Sequence, residues 1–143
     1  MKISTKGRYA LRMMIDIAGC GAEGFVSLKD IAERQELSTK YLEQIVGQLS
    51  KAGFLKSSRG AQGGYQLTRK PEEYTVGEIL RLTEGNLAPV ACLQDPENKC
   101  ERCDSCATLD FWQGLYQTVN QYIDKFTLAD LVANDKSKKN HAC

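Results

Sequence analysis

The chain has 143 residues, 42% of them hydrophobic and 26% charged, with a formal net charge of +1. That is enough for one domain with its own core, and too apolar for a disordered chain. No apolar run approaches the roughly 18 residues that a membrane-spanning helix needs, and no membrane partner is expected.

The opening stretch MKISTKGRYALRMMIDIAGC begins like an export signal, but Arg12 and Asp16 break its apolar run. The expected location is therefore the cytoplasm, where thiols stay reduced. Six cysteines in that setting point to metal binding or redox chemistry ahead of a disulfide framework. Residues 8–19 are too densely apolar for a half-exposed strand and predict a largely buried helix.

Ser27-x-x-Asp30 has the form of a capping box and opens a short helix that buries Leu28, Ile31 and Ala32. In the next segment Leu42, Ile45, Val46 and Leu49 recur at i, i+3, i+4 and i+7, one face of a helix that Gly53 closes. Two short helices so joined form a helix-turn-helix pattern. The opposite face carries Lys40, Glu43, Gln44, Gly47 and Gln48, with Ser38, Thr39 and Tyr41 at the first turn. Alone, that is simply a solvated face.

The following residues change its meaning. FLKSS and YQLT predict two strands joined by RGAQGG, a hairpin wing. Residues 53–71 contain Lys56, Arg59, Arg69 and Lys70 and no carboxylate, a local basic field suited to a polyanion. A helix suits the major groove of double-stranded DNA, and an Arg on a loop tip suits the narrow minor groove. Ser57, Arg59 and Gly60 are the wing's candidate contacts, with Gly60, Gly63 and Gly64 allowing close backbone approach. Thr75-x-x-Glu78 then starts a helix that stops at Gly85, completing a DNA-binding domain over residues 1–85.

Residues 86–106 show neither helical nor strand period, are punctuated by Pro89 and Pro96, and hold four cysteines as Cys92-x7-Cys100-x2-Cys103-x2-Cys106. Structural zinc more often uses two separated near pairs. Bacterial ferredoxin spacing is reproduced from Cys100 until its last place, where Asp110 stands. An iron–sulfur cluster fits the spacing best, with zinc or a metal-free thiol switch as alternatives. Cys20 is expected to be a core residue, and His141 and Cys143 lie near the chain end.

Residues 107–133 place Leu109, Trp112, Leu115, Tyr116, Val119, Tyr122, Ile123 and Phe126 on one continuous stripe. A long helix beside a complete domain suggests a homodimer reading a near-palindromic operator. TLADLV adds a short capped helix, and residues 134–143 are expected to form a disordered tail. The fold class is thus mainly α: a winged helix-turn-helix with a small β-hairpin wing and a long C-terminal dimerisation helix. An enzyme is not expected, because the single histidine is His141 and no nucleophile–base pair is present.

MKISTKGRYALRMMIDIA, LSTKYLEQIVGQLSKAGFLKSSRGAQGGYQL and TVGEILRLTEG, together with LDFW and TLADLV, resemble the bacterial Rrf-two family of winged-helix regulators over nearly the whole chain. The cysteine loop is similar to the family's iron–sulfur cluster regulator (IscR-like) branch. It separates the chain from the cysteine-metabolism branch, which is similar through the first half and lacks that loop. The resemblance implies a homodimeric repressor holding a [2Fe–2S] cluster and controlling cluster-assembly genes. By position it puts ligands on Cys92, Cys100 and Cys106, recognition contacts on Ser38, Lys40, Tyr41, Glu43 and Gln44, and a minor-groove contact on Arg59. Two departures are visible. Leu109 stands where well-known members have a histidine ligand, which leaves Cys103 or Asp110 as candidate fourth ligands. Arg8 and Arg12 occupy the region where a nitric-oxide-sensing branch supplies a carboxylate. Outside that branch, a zinc- or thiol-based regulator of cysteine or sulfur metabolism and a small iron–sulfur electron carrier are the alternatives.

Overall fold

In the computed structural model of the chain, which describes residues 1–21 and 24–138, Ser4 starts the first helix a turn earlier than apolar density implies. Its Oγ accepts from the Gly7 N–H at 3.3 Å. The Glu84 carboxylate, distant in sequence, also accepts from the N–H groups of Ser4 and Gly7 at 3.1 Å each. Helix α1 (Thr5–Cys20) buries Ala10, Met13, Met14 and Ile17, so the dense apolar stretch is a buried helix as expected. Cys20 packs half-buried against the same core.

Helices α2 (Leu28–Gln35) and α3 (Thr39–Lys51) form the helix-turn-helix. Ser27 Oγ accepts from the Asp30 N–H at 3.1 Å, the first half of the expected capping box. The turn is made by Glu36 in the left-handed region (φ 55°), with the Leu37 N–H donating to Ala32 at 3.0 Å. Gly53 closes α3 with φ 81°, which lets the Phe54 N–H donate back to Leu49 at 2.9 Å.

Arg12 and Asp16, which interrupt the apolar run of the sequence, are what seats α2 on α1. Asp16 is only 5% exposed. Its carboxylate accepts from Arg34 at 2.7 and 3.1 Å and from the Gln35 amide at 2.9 Å. Arg12 in turn donates to the Gln35 side chain at 3.1 Å and to its backbone carbonyl. A buried carboxylate is tolerated only when paired and hydrogen-bonded in this way.

Strand β1 (Leu55–Ser58) pairs antiparallel with β2 (Gly64–Leu67), Leu55 opposite Leu67 and Ser58 opposite Gly64. Val26 adds a bridge on the other side of β2, exchanging two 2.8 Å hydrogen bonds with Tyr65. Gly64 (φ 148°) lies so close to Val26 that a Cβ would strike its backbone, and a Cβ on Gly63 would strike Ser58 and Arg59. These two glycines therefore serve the protein's own chain crossing. Only Gly60 (φ 104°) faces open space at the tip.

Helix α4 (Val76–Glu84) carries a complete capping box, with Glu78 N–H to Thr75 Oγ1 at 3.0 Å and Thr75 N–H to the Glu78 carboxylate at 2.9 Å. Long helix α5 (Leu109–Lys125) and α6 (Leu128–Lys138) follow. Helix α6 continues through Lys138, five residues into the stretch expected as a disordered tail, because its first turn is capped by Thr127 and Asp130 and Leu128 is fully buried. Residues 139–143, with His141 and Cys143, lie outside the described residues. Helix α1 runs through the centre and touches α2, α3, α4, α6 and β2.

One fully buried side chain joins the two halves. The Tyr74 hydroxyl donates to the Phe54 carbonyl at 2.7 Å and accepts from the N–H groups of Thr68 and Arg69 at 3.0 and 3.1 Å. Its own carbonyl accepts from Leu128 N–H, and Val76 N–H donates to Phe126, both at 2.9 Å. The base of the wing and the α5–α6 corner thus meet on one residue. Tyr74→Phe should lower unfolding stability by about 1–3 kcal/mol, because it strands part-buried backbone groups; urea denaturation of the two proteins measures the difference.

Candidate functional site

Helix α3 turns Leu42, Ile45, Val46 and Leu49 inward, which leaves its other side to solvent. Ser38, Thr39, Lys40, Glu43, Gln44 and Gly47 are all exposed, so the expected reading face is available along more than two turns. Tyr41 is half-buried, with its ring edge-on to Tyr9 at 5.6 Å. Tyr9 is itself covered by the Arg12 guanidinium at 5.3 Å. The first turn of α3 is therefore braced from α1 by a contact that the sequence periodicity does not reveal. Gln48 leaves the expected face: its amide donates to the Leu82 carbonyl at 2.6 Å and ties α3 to α4.

The wing carries Lys56, Ser57, Ser58, Arg59 and Gly60, every one exposed. At its tip the Gly63 N–H donates to Gly60 at 3.0 Å, which narrows the loop and leaves Arg59 projecting from a small, flat platform. Arg69 at the base stacks over the rings of Tyr74 and Phe54 at 4.3 and 5.0 Å. It is half-buried there, which leaves Lys56 and Arg59 as the wing's exposed cations. Together the α3 face and the wing form a surface with one carboxylate, Glu43, among cations and neutral hydrogen-bonding groups. That combination can hold phosphates and read base edges.

The cysteine stretch follows Gly85 (φ 77°) at the end of α4. It is built from turns that satisfy their own backbone. Asn86 donates to Gln94 O at 2.6 Å and accepts from the Ala88 N–H at 2.6 Å. Single 3-10 turns stand at Ala91–Leu93 and Cys103–Ser105, and the Cys103 N–H donates to Cys100 O at 3.1 Å. Cys92 and Cys100 line one pocket of about 320 Å³ together with Asp95, Glu97 and Lys99. Cys103 follows one turn later, and Cys106 lies just before Thr108, the N-cap of α5.

Among the described residues no three or more His, Cys, Asp or Glu side chains are gathered closely enough to hold a metal ion. The donor set nevertheless has the chemistry of a cluster site: four thiols in fifteen residues, none of them buried. Their environments differ. The Thr108 hydroxyl, 3.5 Å from Cys106 Sγ, lowers the pKa of that thiol, assisted by the backbone N–H of Thr108. Cys103 is pushed up, first by desolvation and then by the neighbouring Asp104 carboxylate. Leu109 is the first residue of α5 and half-buried, and Asp110 is exposed in its first turn.

The loop leads straight into α5, in which none of seventeen residues is buried. Tyr116, Ile123 and Phe126 pack against Val76, Leu80 and Leu87. Phe111 and Tyr122 are left 65% and 63% exposed. The helix is fixed to α4 by Arg81, which donates to the two Asp124 oxygens at 2.8 and 2.7 Å and to Asn120 at 2.9 Å. That guanidinium holds the Asp124 carboxyl below its ordinary pKa. A Cβ on Gly77 would collide with the same Asp124 carboxylate, so the close approach of α4 and α5 depends on that glycine. Nothing in the sequence periodicity marks this clamp.

A family model described as Rrf2, iron-dependent transcriptional regulator, matches residues 3–134. The protein rrf2 of Nitratidesulfovibrio vulgaris is 43% identical over all of this chain and 95% of its own length. The transcriptional regulator CymR of Bacillus subtilis is 44% identical over 93% of this chain and 91% of its own length. Its solved structure, described as the global cysteine regulator, superposes with a TM-score of 0.79 at 42% identity, over 94% of this chain and 98% of that one. The likeness to that branch is therefore not confined to the first half of the chain. The structure of IscR from T. potens gives a TM-score of 0.76 at 40% identity, covering 97% of this chain and 91% of that one.

The opposite shifts of Cys103 and Cys106 are open to measurement. In metal-free protein, Cys106 should alkylate at a lower pH than Cys103, since a lowered pKa puts more of a thiol in the nucleophilic thiolate form. Iodoacetamide labelling across pH 6–10, read by peptide mass spectrometry, should show the two half-rates on either side of an ordinary thiol's.

Proposed function

The chain belongs to the Rrf2 family of transcriptional regulators, DNA-binding proteins and not enzymes, and on that premise we propose that it is a cytoplasmic, homodimeric sensor of iron–sulfur cluster status that represses cluster-biogenesis genes. The observation that carries this reading is the placement of the cysteines. All four stand on one turn-built loop that is continuous with a helix clamped to the DNA-binding unit.

Cys92, Cys100 and Cys106 would hold a [2Fe–2S] cluster. Cys103 is the fourth ligand, because Leu109 at the family's histidine position has no donor atom. When bound, the cluster supplies a group whose charge and stability respond to oxygen, iron and electron supply. Every other part of the response belongs to the chain. The apolar side of α5, with Phe111 and Tyr122 outermost, packs against a second copy. That pairing sets the distance between two α3–wing units, and so the spacing of the half-sites they read. Two loop arrangements of unequal cluster affinity suffice to shift that spacing. On DNA, α3 enters the major groove with Ser38, Thr39, Lys40, Tyr41, Glu43 and Gln44, while Ser57, Arg59 and Gly60 meet the adjacent minor groove.

Glu43 is the discriminating residue on this face. It accepts from a cytosine amine and repels phosphate, so it rewards some sequences and penalises others. A second reading has support of its own: the likeness to CymR favours a zinc- or thiol-based regulator of cysteine or sulfur metabolism genes. The two readings part on metal content. Anaerobically purified protein should be coloured and contain iron and acid-labile sulfide, and Cys103→Ala should lose the colour. A pale protein that binds zinc, or none, supports the second reading.

On the DNA side, Arg59→Ala should weaken operator binding by about 1–3 kcal/mol, whereas Glu43→Ala should change the sequence preference more than the affinity. Fluorescence anisotropy against operator variants at fixed salt measures both. Unchanged binding by Arg59→Ala would remove the wing from the interface.

A further inference from the structure

Among the described residues three buried side-chain atoms have no hydrogen-bond partner. Two of them, Gln48 Oε1 and Ser50 Oγ, belong to α3; the third is Asn98 Nδ2, in the cysteine loop. The other end of the same amide is engaged, since Asn98 Oδ1 accepts from the Cys100 N–H at 2.9 Å. The side chain is thus fixed at one oxygen, two residues from a thiol, while its N–H₂ is withdrawn from water with nothing to donate to. Buried donors in native proteins almost always have an acceptor, and an orphan calls for one. The residues on either side of Asn98, Glu97 and Lys99, line the pocket shared by Cys92 and Cys100.

We infer that Asn98 is a positioning and tuning residue for a cluster held by Cys92 and Cys100, its amide N–H₂ donating to a thiolate or sulfide sulfur at that pocket. The inference rests on the cluster reading given above. Physically, a hydrogen bond to sulfur is one of the factors that set an iron–sulfur potential. Reduction adds a negative charge, and a donor stabilises the reduced form more than the oxidised one. The need is local: Asp95 and Glu97 bring two carboxylates to the pocket against the single ammonium of Lys99. An amide supplies donor character there with no further charge.

Asn98→Ser tests this without altering charge, because a serine hydroxyl still accepts from the Cys100 N–H and the amide donor is gone. Asn98→Asp keeps the amide's shape and its acceptor. Both anaerobically loaded variants, titrated with redox dyes under visible absorption, should show a more negative midpoint than the parent protein. The expected change is about tenfold in the reduction equilibrium, or 59 mV for one electron, and larger for the aspartate. Midpoints equal to the parent's in both variants, with iron and sulfide content unchanged, overturn the inference. So does loss of iron and sulfide from both variants with an unchanged circular-dichroism spectrum, which assigns Asn98 to building the loop. A parent protein free of iron and sulfide overturns the cluster reading itself, an outcome distinct from either.

Discussion

The buried hydroxyl of Tyr74 is the constraint on which the arrangement of this molecule depends. It gathers the three backbone groups at the base of the wing, Phe54 C=O and the N–H groups of Thr68 and Arg69. The same residue's carbonyl receives the first N–H of α6. Such an oxygen has no room for compromise: buried away from water, each group it serves must be paired there or not at all. The DNA-contacting hairpin and the C-terminal helices are therefore held in one register. The Arg81–Asp124 clamp repeats the connection between α4 and α5 on the outer surface.

Rigidity of this kind gives the cysteine loop its significance. A change confined to residues 86–106 would be absorbed locally if α5 were free. Because α5 is fixed at Asp124 and at the Phe126–Val76 hydrogen bond, a displacement at its first turn must instead appear as a rotation of the whole helix or of whatever packs on it. The exposed aromatic side of α5 is where a second copy would register such a rotation. The cationic wing and the α3 face, braced through Tyr41 and Tyr9, would then be carried as rigid bodies. Coupling between loop and DNA would in that case require only a two-position helix, and no chain of side-chain rearrangements.

The glycines show how function and folding compete for the same residues. Gly60 has open space around its Cα, as a groove-contacting tip needs, whereas Gly63 and Gly64 are occupied by the crossing of β2 over the α1–α2 connection. A sequence reader sees three equivalent glycines in RGAQGG. What separates them is the Val26–Tyr65 bridge, a pairing between residues far apart in the chain.

The sequence by itself determined the element order, the helix-turn-helix and its inward face, the hairpin, the capping box of α4 and the segregation of thiols into one loop. Those are local matters: period, caps and turn residues act within a few positions, and α3 has no other way to bury Leu42, Ile45, Val46 and Leu49. Only the tertiary structure decided that Arg12 and Asp16 seat α2, that Gln48 turns toward α4, that α6 extends through Lys138, and that Tyr74 and Arg81 couple the halves. Each of these depends on partners 18 to 54 positions away, and long-range pairing of polar groups leaves no periodic trace. The orphaned Asn98 amide belongs to the same class, since burial of a single nitrogen is a property of the packed molecule alone.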